Sequence, residues 1–557
     1  MSATFHRLLS FLLSALYFQA ASASFSSPII TVKNGSYVGR YNPTYNEDEF
    51  LGIPYAQPPL GYLRFRGPAG LNTTWNGTRK ATNYSPICVG YGSDSNYFNS
   101  PEDCLTINVV RPTGQPSEPL PVIVWLYGGG FYEGGTQDQR YNLSRIVQQS
   151  IEANKPMIAV LLNYRLSAFG FLRSKEVAAN GEYGAFGGDQ RKVTLWGESA
   201  GGIAIGRHLV AYGGRDDGLY RAAIMESGGP LERWPYATPY TNGYSEELYT
   251  NLMKSTGCHN ATSPLECLRY LQFSQPNAAL NITDTWIAGT GLGPWVSVID
   301  NDFLQDYCST QINDGRFVKL PILYGTNTDE GTAISPHGIN TDEDFRAAVA
   351  QGGADNCKRS FEKYLHARFS SSTDRELATI SMIEKLYSSK PALGIPVGYN
   401  LTASDIATYG KQWKRGAAFF GDVPAGLADI IGVTYYQEVA WVFDNIDGAG
   451  YATNPFNVSS EIEREKYVEA ATAMSRMWAS FVSDFDPNGH GLDGWPRWPR
   501  YRAEEGKVGK NMVFDANGSW VERDDWRIPQ MAFLAEKALS QWKHRRGVAS
   551  KLENVCS

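Results

Sequence analysis

Histidine and cysteine are scarce in this chain, seven of each among 557 residues, and basic charge is in deficit. Lys and Arg number 50 against 57 Asp and Glu, a net charge of −7 with no basic stripe. That excludes the clustered cations which a phosphate backbone requires, and with them a nucleic-acid partner. Beyond the N-terminal two dozen residues no apolar run is long enough for a membrane helix. There is no linker, internal repeat or low-complexity tract, so residues 24–557 are expected to form a single domain. With 19% charged and 42% apolar residues the chain can bury a large core, and global disorder is excluded.

What is present begins with an address. His6 and Arg7 precede the apolar stretch Leu8 to Phe18, and the small residues Ala21-Ser22-Ala23 follow. This reads as a secretory signal over residues 1–23, too short to span a bilayer stably. Ten N-x-S/T sequons lie downstream, at Asn34, Asn72, Asn76, Asn83, Asn142, Asn260, Asn281, Asn400, Asn457 and Asn517, and they predict a glycosylated extracellular surface. The cysteines suit the same compartment. Cys88 with Cys104 and Cys258 with Cys267 are the close pairs expected to bridge, leaving Cys308, Cys357 and Cys556 with at least one unpaired thiol.

Apolar runs without alternation recur at Val122 to Tyr127, Met157 to Asn163, Val193 to Trp196, Ala222 to Glu226 and Leu320 to Tyr324. Separated by helical stretches, they predict a mostly parallel sheet covered on both faces. Ala204 to Tyr212 reads as a helix, residues 460–485 as a charged amphipathic helix packed at the surface, and Arg527 to Arg546 as a C-terminal helix. Residues 230–320 and 340–425 read as helix and loop forming a cap.

The third run leads into Gly197-Glu198-Ser199-Ala200-Gly201, a G-x-S-x-G at a strand end. A serine on a sharp strand-to-helix turn projects its hydroxyl from the chain, and flanking glycines let strand and helix approach. Ser199 would attack a carbonyl carbon. Gly129 and Gly130, after the first run, with the N–H of Ala200, would form an oxyanion hole for the tetrahedral intermediate. Glu330, in the loop after the fifth run, stands where the acid of such a triad sits.

These segments resemble the type-B carboxylesterase/lipase family, which includes cholinesterases and fungal secreted lipases. Phe50-Leu51-Gly52-Ile53-Pro54-Tyr55-Ala56, Glu102-Asp103-Cys104-Leu105-Thr106-Ile107-Asn108-Val109, Phe186 through Gly201, Glu226-Ser227-Gly228-Gly229 and Asp329-Glu330-Gly331 carry the likeness. The resemblance implies an α/β-hydrolase fold with helical cap insertions, a Ser-Glu-His triad, no metal or other cofactor, and the same two disulfides. It also implies a small-molecule or lipid ester as substrate.

Two departures stand out. The family's histidine precedes a Glu and a Val-Phe pair; aligning Glu438 and Val442-Phe443 puts Tyr435 in its place. A phenol titrating near ~10 is a poor base at neutral pH. Of the seven histidines, His337, seven residues beyond Glu330, is the nearest substitute in sequence. The second departure is length: Leu166 to Ala185 leaves barely two turns for the crossover helix before the nucleophile strand. The expectation is therefore a secreted carboxylic ester hydrolase acting through Ser199 and impaired at Tyr435. A tailoring esterase of a metabolite pathway and a non-catalytic cholinesterase-like binding protein are the alternatives.

Overall fold

Runs of Val, Ile and Leu bounded by Gly, Pro and Asn build a central eight-stranded sheet. The computed structural model describes residues 27–114, 118–172, 192–230, 243–281, 294–332, 335–351, 374–396, 400–422, 436–502, 508–525 and 528–533. In chain order the strands are β1 (Arg40–Asn42), β2 (Glu47–Pro54), β3 (Thr106–Pro112), β4 (Val122–Leu126), β5 (Ile158–Leu162), β6 (Val193–Glu198), β7 (Ala222–Glu226) and β8 (Ile322–Gly325). Across the sheet the order is β8-β7-β6-β4-β5-β3-β2-β1. The five strands from β8 to β5 are mutually parallel, and β3, β2 and β1 join antiparallel. This is the mostly parallel α/β-hydrolase sheet the sequence predicts, extended by an antiparallel edge.

Every residue of β7 is buried, and β6 nearly so, as befits strands covered on both faces. On one face lie α1 (Leu143–Glu152) and, later in the chain, a 24-residue helix. Asn142 caps α1 by accepting the Ser144 N–H at 3.0 Å, and Leu143, Ile146 and Val147 face the sheet. On the other face α2 (Ala200–Gly214) packs Ile205 and Leu209 against Ala223, Met225 and Val318. Near its end, Ala211, Tyr212 and Gly213 leave helical geometry. The short α3 (Glu438–Val442) brings Phe443 onto Trp125 and Trp196, with ring centroids 4.9 and 4.4 Å apart.

The 24-residue helix α4 (Glu461–Asp484) corrects one expectation. It is not a surface helix: Ala470, Ala471, Ala473, Met474, Met477, Trp478, Ala479, Phe481 and Val482 are buried. Its charges crowd the first two turns, whereas small alanines further on let it lie close to the sheet. Helices Asp342–Gln351, Asp374–Leu386 and Trp413–Asp422 enclose a separate apolar cluster around Phe345, Ile383 and Ile395. The Cys88–Cys104 and Cys258–Cys267 disulfides are formed, and Cys308 carries a free thiol. Residues 1–23 expected as a signal, residues 173–191 of the crossover expected to be short, Cys357, Cys556 and the part of the expected C-terminal helix beyond Phe533 lie outside the described residues. Among the described residues no helix is long and apolar enough to cross a membrane.

Candidate active site

Strand β6 ends on Glu198, and Ser199 turns the chain into α2 with φ 54° and ψ −124°. That conformation is costly for any residue with a Cβ and persists only where the surroundings impose it. Here they do. The Ser199 N–H donates to Glu226 O at 2.9 Å, and Ser199 O accepts from Ile203 N at 2.8 Å. A Cβ on Gly201 would meet Leu126 O at 1.9 Å, and one on Gly197 would meet the Gly201 backbone at 2.7 Å. Both glycines of the motif are therefore required by close packing of strand, turn and helix.

The glycine loop after β4 lies directly over this turn. Gly129 and Gly130 have φ of 89° and 61°, and Gly129 O accepts from both Tyr132 N and Glu133 N. A Cβ on Gly128 would lie 2.5 Å from Glu198 Oε2 and 2.9 Å from Ser199 Cβ. The sequence points to the two later glycines, yet Gly128 is what lets the loop touch the serine. Side chains at Gly129 are excluded for another reason, since a Cβ there would stand 2.3 Å from Glu133 O. Ala200 opens α2, so its N–H sits at the positive end of the helix dipole.

Glu330 begins a single 3-10 turn beyond β8. Its Oε1 accepts the Ser227 hydroxyl and the Asn327 N–H, the latter at 2.9 Å. Burial raises its pKa to about 7, with the two hydrogen bonds opposing and the nearby Glu438 carboxylate adding to the rise. Glu438 takes a hydrogen bond from the Asn327 amide. Glu226 accepts two indole N–H groups on Oε1, from Trp196 at 2.7 Å and Trp478 at 2.6 Å. Burial pushes both Glu226 and Glu438 upward, and repulsion from Glu438 adds to the rise of Glu226. Sequence reading used Glu226 and Glu438 only as markers of likeness. That they form one buried acidic cluster with Glu330 depends on β7, β8 and α3 converging, which no local pattern encodes.

Position 435 lies outside the described residues. Its neighbour Tyr436 donates its hydroxyl to Tyr141 Oη at 2.7 Å, with the Arg140 guanidinium 4.9 Å above its ring. The described histidines make their contacts elsewhere. His208 lies on α2 with Nδ1 2.8 Å from Ala204 O, and His490 Nδ1 accepts the Leu492 N–H at 3.1 Å. His259 is exposed. His337 is exposed too and packs edge-on against Tyr409. Of the sequon asparagines, Asn72, Asn76, Asn83, Asn260, Asn281, Asn400, Asn457 and Asn517 are exposed. Asn34 instead donates its amide nitrogen to Thr73 O at 2.7 Å, and Asn142 is half-buried.

Comparison with known proteins places this geometry in context. A model of the carboxylesterase family matches residues 26–512. Lipase 2 of Diutina rugosa is 29% identical over 555 residues, covering 90% of this chain and 95% of that one. A secreted triacylglycerol lipase of Gibberella zeae is 27% identical over 566 residues, covering 91% and 90%. The crystal structure of Aspergillus niger EstA superposes with a TM-score of 0.67 at 25% identity, covering 93% of this chain and 99% of that one.

Proposed function

The chain belongs to the carboxylesterase family and is by that membership a carboxylic ester hydrolase; on that premise we propose that it is secreted and works through an acyl-enzyme on Ser199. Ser199 Oγ attacks the ester carbonyl, and the N–H groups of Gly129, Gly130 and Ala200 receive the developing oxyanion. Glu330, held by Ser227 and Asn327, supplies the acid of the site. The observation that carries this reading is the strained turn at Ser199, with its Cβ pressed against the glycine loop. The N-terminal apolar segment with Ala21-Ser22-Ala23, the sequons, the two disulfides and the secreted lipase among the relatives support export. The relatives point to lipid or other carboxylic esters as the substrate class.

A fluorophosphonate probe tests the proposal. The protein recovered from medium is expected to be labelled, and Ser199→Ala to abolish the label. Hydrolysis of a short-chain aryl ester measured on the same material tests turnover. An unlabelled but well-folded protein would overturn the reading and favour a binding protein on the same fold.

A further inference from the structure

With tyrosine where an imidazole is expected, the proton of Ser199 needs another acceptor, and the carboxylate beside the serine is placed to be one. We propose that Glu198 is the general base of this chain, taking the Ser199 hydroxyl proton directly or through one water.

The position follows from the turn itself. Glu198 ends β6 fully buried, and its side chain folds under the glycine loop. Glu198 Oε2 and Ser199 Cβ lie 2.5 and 2.9 Å from one common point, the place a Gly128 Cβ would occupy. The carboxylate oxygen and the serine Cβ are therefore no further apart than those two lengths combined. Ser199 Oγ is one bond beyond, so rotation about Cα–Cβ and at most one water closes the gap, within the reach required of a general base. Gly128 is indispensable here because any side chain would fill the space that the carboxylate and the serine share. The loop's other side is closed by Tyr164, whose hydroxyl donates to Tyr127 O at 2.7 Å.

Three neighbouring carboxylates have hydrogen-bond partners of their own. Glu330 Oε1 is committed to Ser227 and Asn327, Glu438 to Asn327, and Glu226 to two indoles. Glu226 is oriented by Trp196 on β6 and Trp478 on α4, Glu330 by Ser227 and Asn327 in the loops after β7 and β8, and Glu438 by Asn327.

The chemistry balances. As Ser199 Oγ bonds to the carbonyl carbon, its proton passes to Glu198, and the carbonyl π pair becomes the oxyanion held by backbone N–H groups. Collapse of the intermediate breaks the bond to the alcohol oxygen, which leaves with the proton from Glu198. Water then attacks the acyl-enzyme, gives its proton to Glu198, and the proton returns to Ser199 as the acid departs. A carboxylate is a weaker base than imidazole at neutral pH, so turnover is slow but exceeds what the oxyanion hole alone provides.

This inference rests on the proposed serine chemistry, and the experiment separates the two. Turnover of a short-chain aryl ester and fluorophosphonate labelling are measured for the parent, Glu198→Gln, Glu198→Asp, Tyr435→His and the Tyr435→His/Glu198→Gln double variant. Glutamine keeps the shape of the side chain and removes the base. Glu198→Gln is expected to lower turnover by about 10²-fold or more, as loss of a general base does, with an unchanged cooperative melt. Glu198→Asp, which keeps a carboxylate, is expected to retain part of the activity. In the Tyr435→His background the same glutamine substitution is expected to cost far less, because imidazole takes over the proton. An equal loss in both backgrounds would show a structural or purely electrostatic role and overturn the proposal. So would a Glu198→Gln protein that turns over ester as fast as the parent. If no variant labels, the serine chemistry itself fails; if all label and only the Glu198 pattern is absent, this inference alone falls.

Discussion

Replacing Gly201 by alanine places a methyl carbon 1.9 Å from Leu126 O and 3.1 Å from Tyr127 O. Neither neighbour can swing aside, since both are backbone, and Leu126 is the last residue of β4, fixed in the ladder with Gly197. The first turn of α2 must therefore retreat by an ångström or more to reach ordinary contact. Overpacking of this kind costs about 1–3 kcal/mol. The kinetic effect is expected to be larger, because the retreat moves Ser199 away from the glycine loop. A displacement near 1 Å at a reacting group costs on the order of 10²-fold in rate. Gly70→Ala serves as the control: a Cβ there meets nothing within 4 Å. Thermal melts and the rate of fluorophosphonate labelling are measured for both. A Gly201→Ala protein that melts with Gly70→Ala and labels at the parental rate would refute the claim that packing of Gly201 on Leu126 sets the serine.

Tyr435→His is expected to raise ester hydrolysis by orders of magnitude, with a rate that climbs through the imidazole range near pH ~6.5, read from a pH–rate profile; a folded variant with no gain would show that residue 435 does not reach Ser199. Glu226, Glu330 and Glu438 all have folded-state pKa values raised above the free value, Glu330 to about 7. Their protonated forms are thus favoured by folding, so their contribution is fully present below the unfolded carboxyl pKa and is lost as pH rises through the folded values. Melting temperature is expected to fall between about pH 5 and 8, and Glu226→Gln, neutral throughout, to flatten that fall; a parent whose stability rises over the window would refute the assignment. Arg64 is buried, with Nη2 2.7 Å from Glu102 Oε2 and Nη1 donating to Arg269 O at 2.8 Å and Leu271 O at 2.9 Å. Arg64→Ala strands the buried Glu102 charge and is expected to cost about 3–5 kcal/mol in chemical denaturation.

The parallel half of the sheet was readable because its strands are buried on both faces and so are unbroken apolar runs, and the G-x-S-x-G spacing placed the turn at Ser199 correctly. The antiparallel edge was not readable as strands. Its longest member begins Glu47-Asp48-Glu49, which looks like solvated loop. Two of those buried carboxylates are met by partners on neighbouring strands: Arg111 and Thr113 on Asp48 from far along the chain, and Arg40 and Asn42 on Glu49 across the hairpin. Helix α4 misled for the opposite reason. Its charged first turns dominate the sequence pattern, while alanine, whose burial leaves little periodic signature, carries the contact. The acidic cluster around Glu330 was half legible: Glu330 followed from its place after a strand, but Glu226 and Glu438 acquire meaning only once three strand and helix ends converge.

Glu226 joins two systems that are usually considered apart. Its backbone carbonyl receives the Ser199 N–H, and its carboxyl oxygen receives the indole N–H groups of Trp196 and Trp478. One residue thus rivets the nucleophile's turn to helix α4 across the thickness of the sheet. By position Trp478 belongs to the hydrophobic core. Yet a substitution there releases one end of the rivet whose other end sets the serine's backbone. In a mutational survey such a residue would be sorted with the folding positions while its first symptom is lost catalysis. Robustness of the fold and tuning of the reaction are consequently not free to drift independently in this chain.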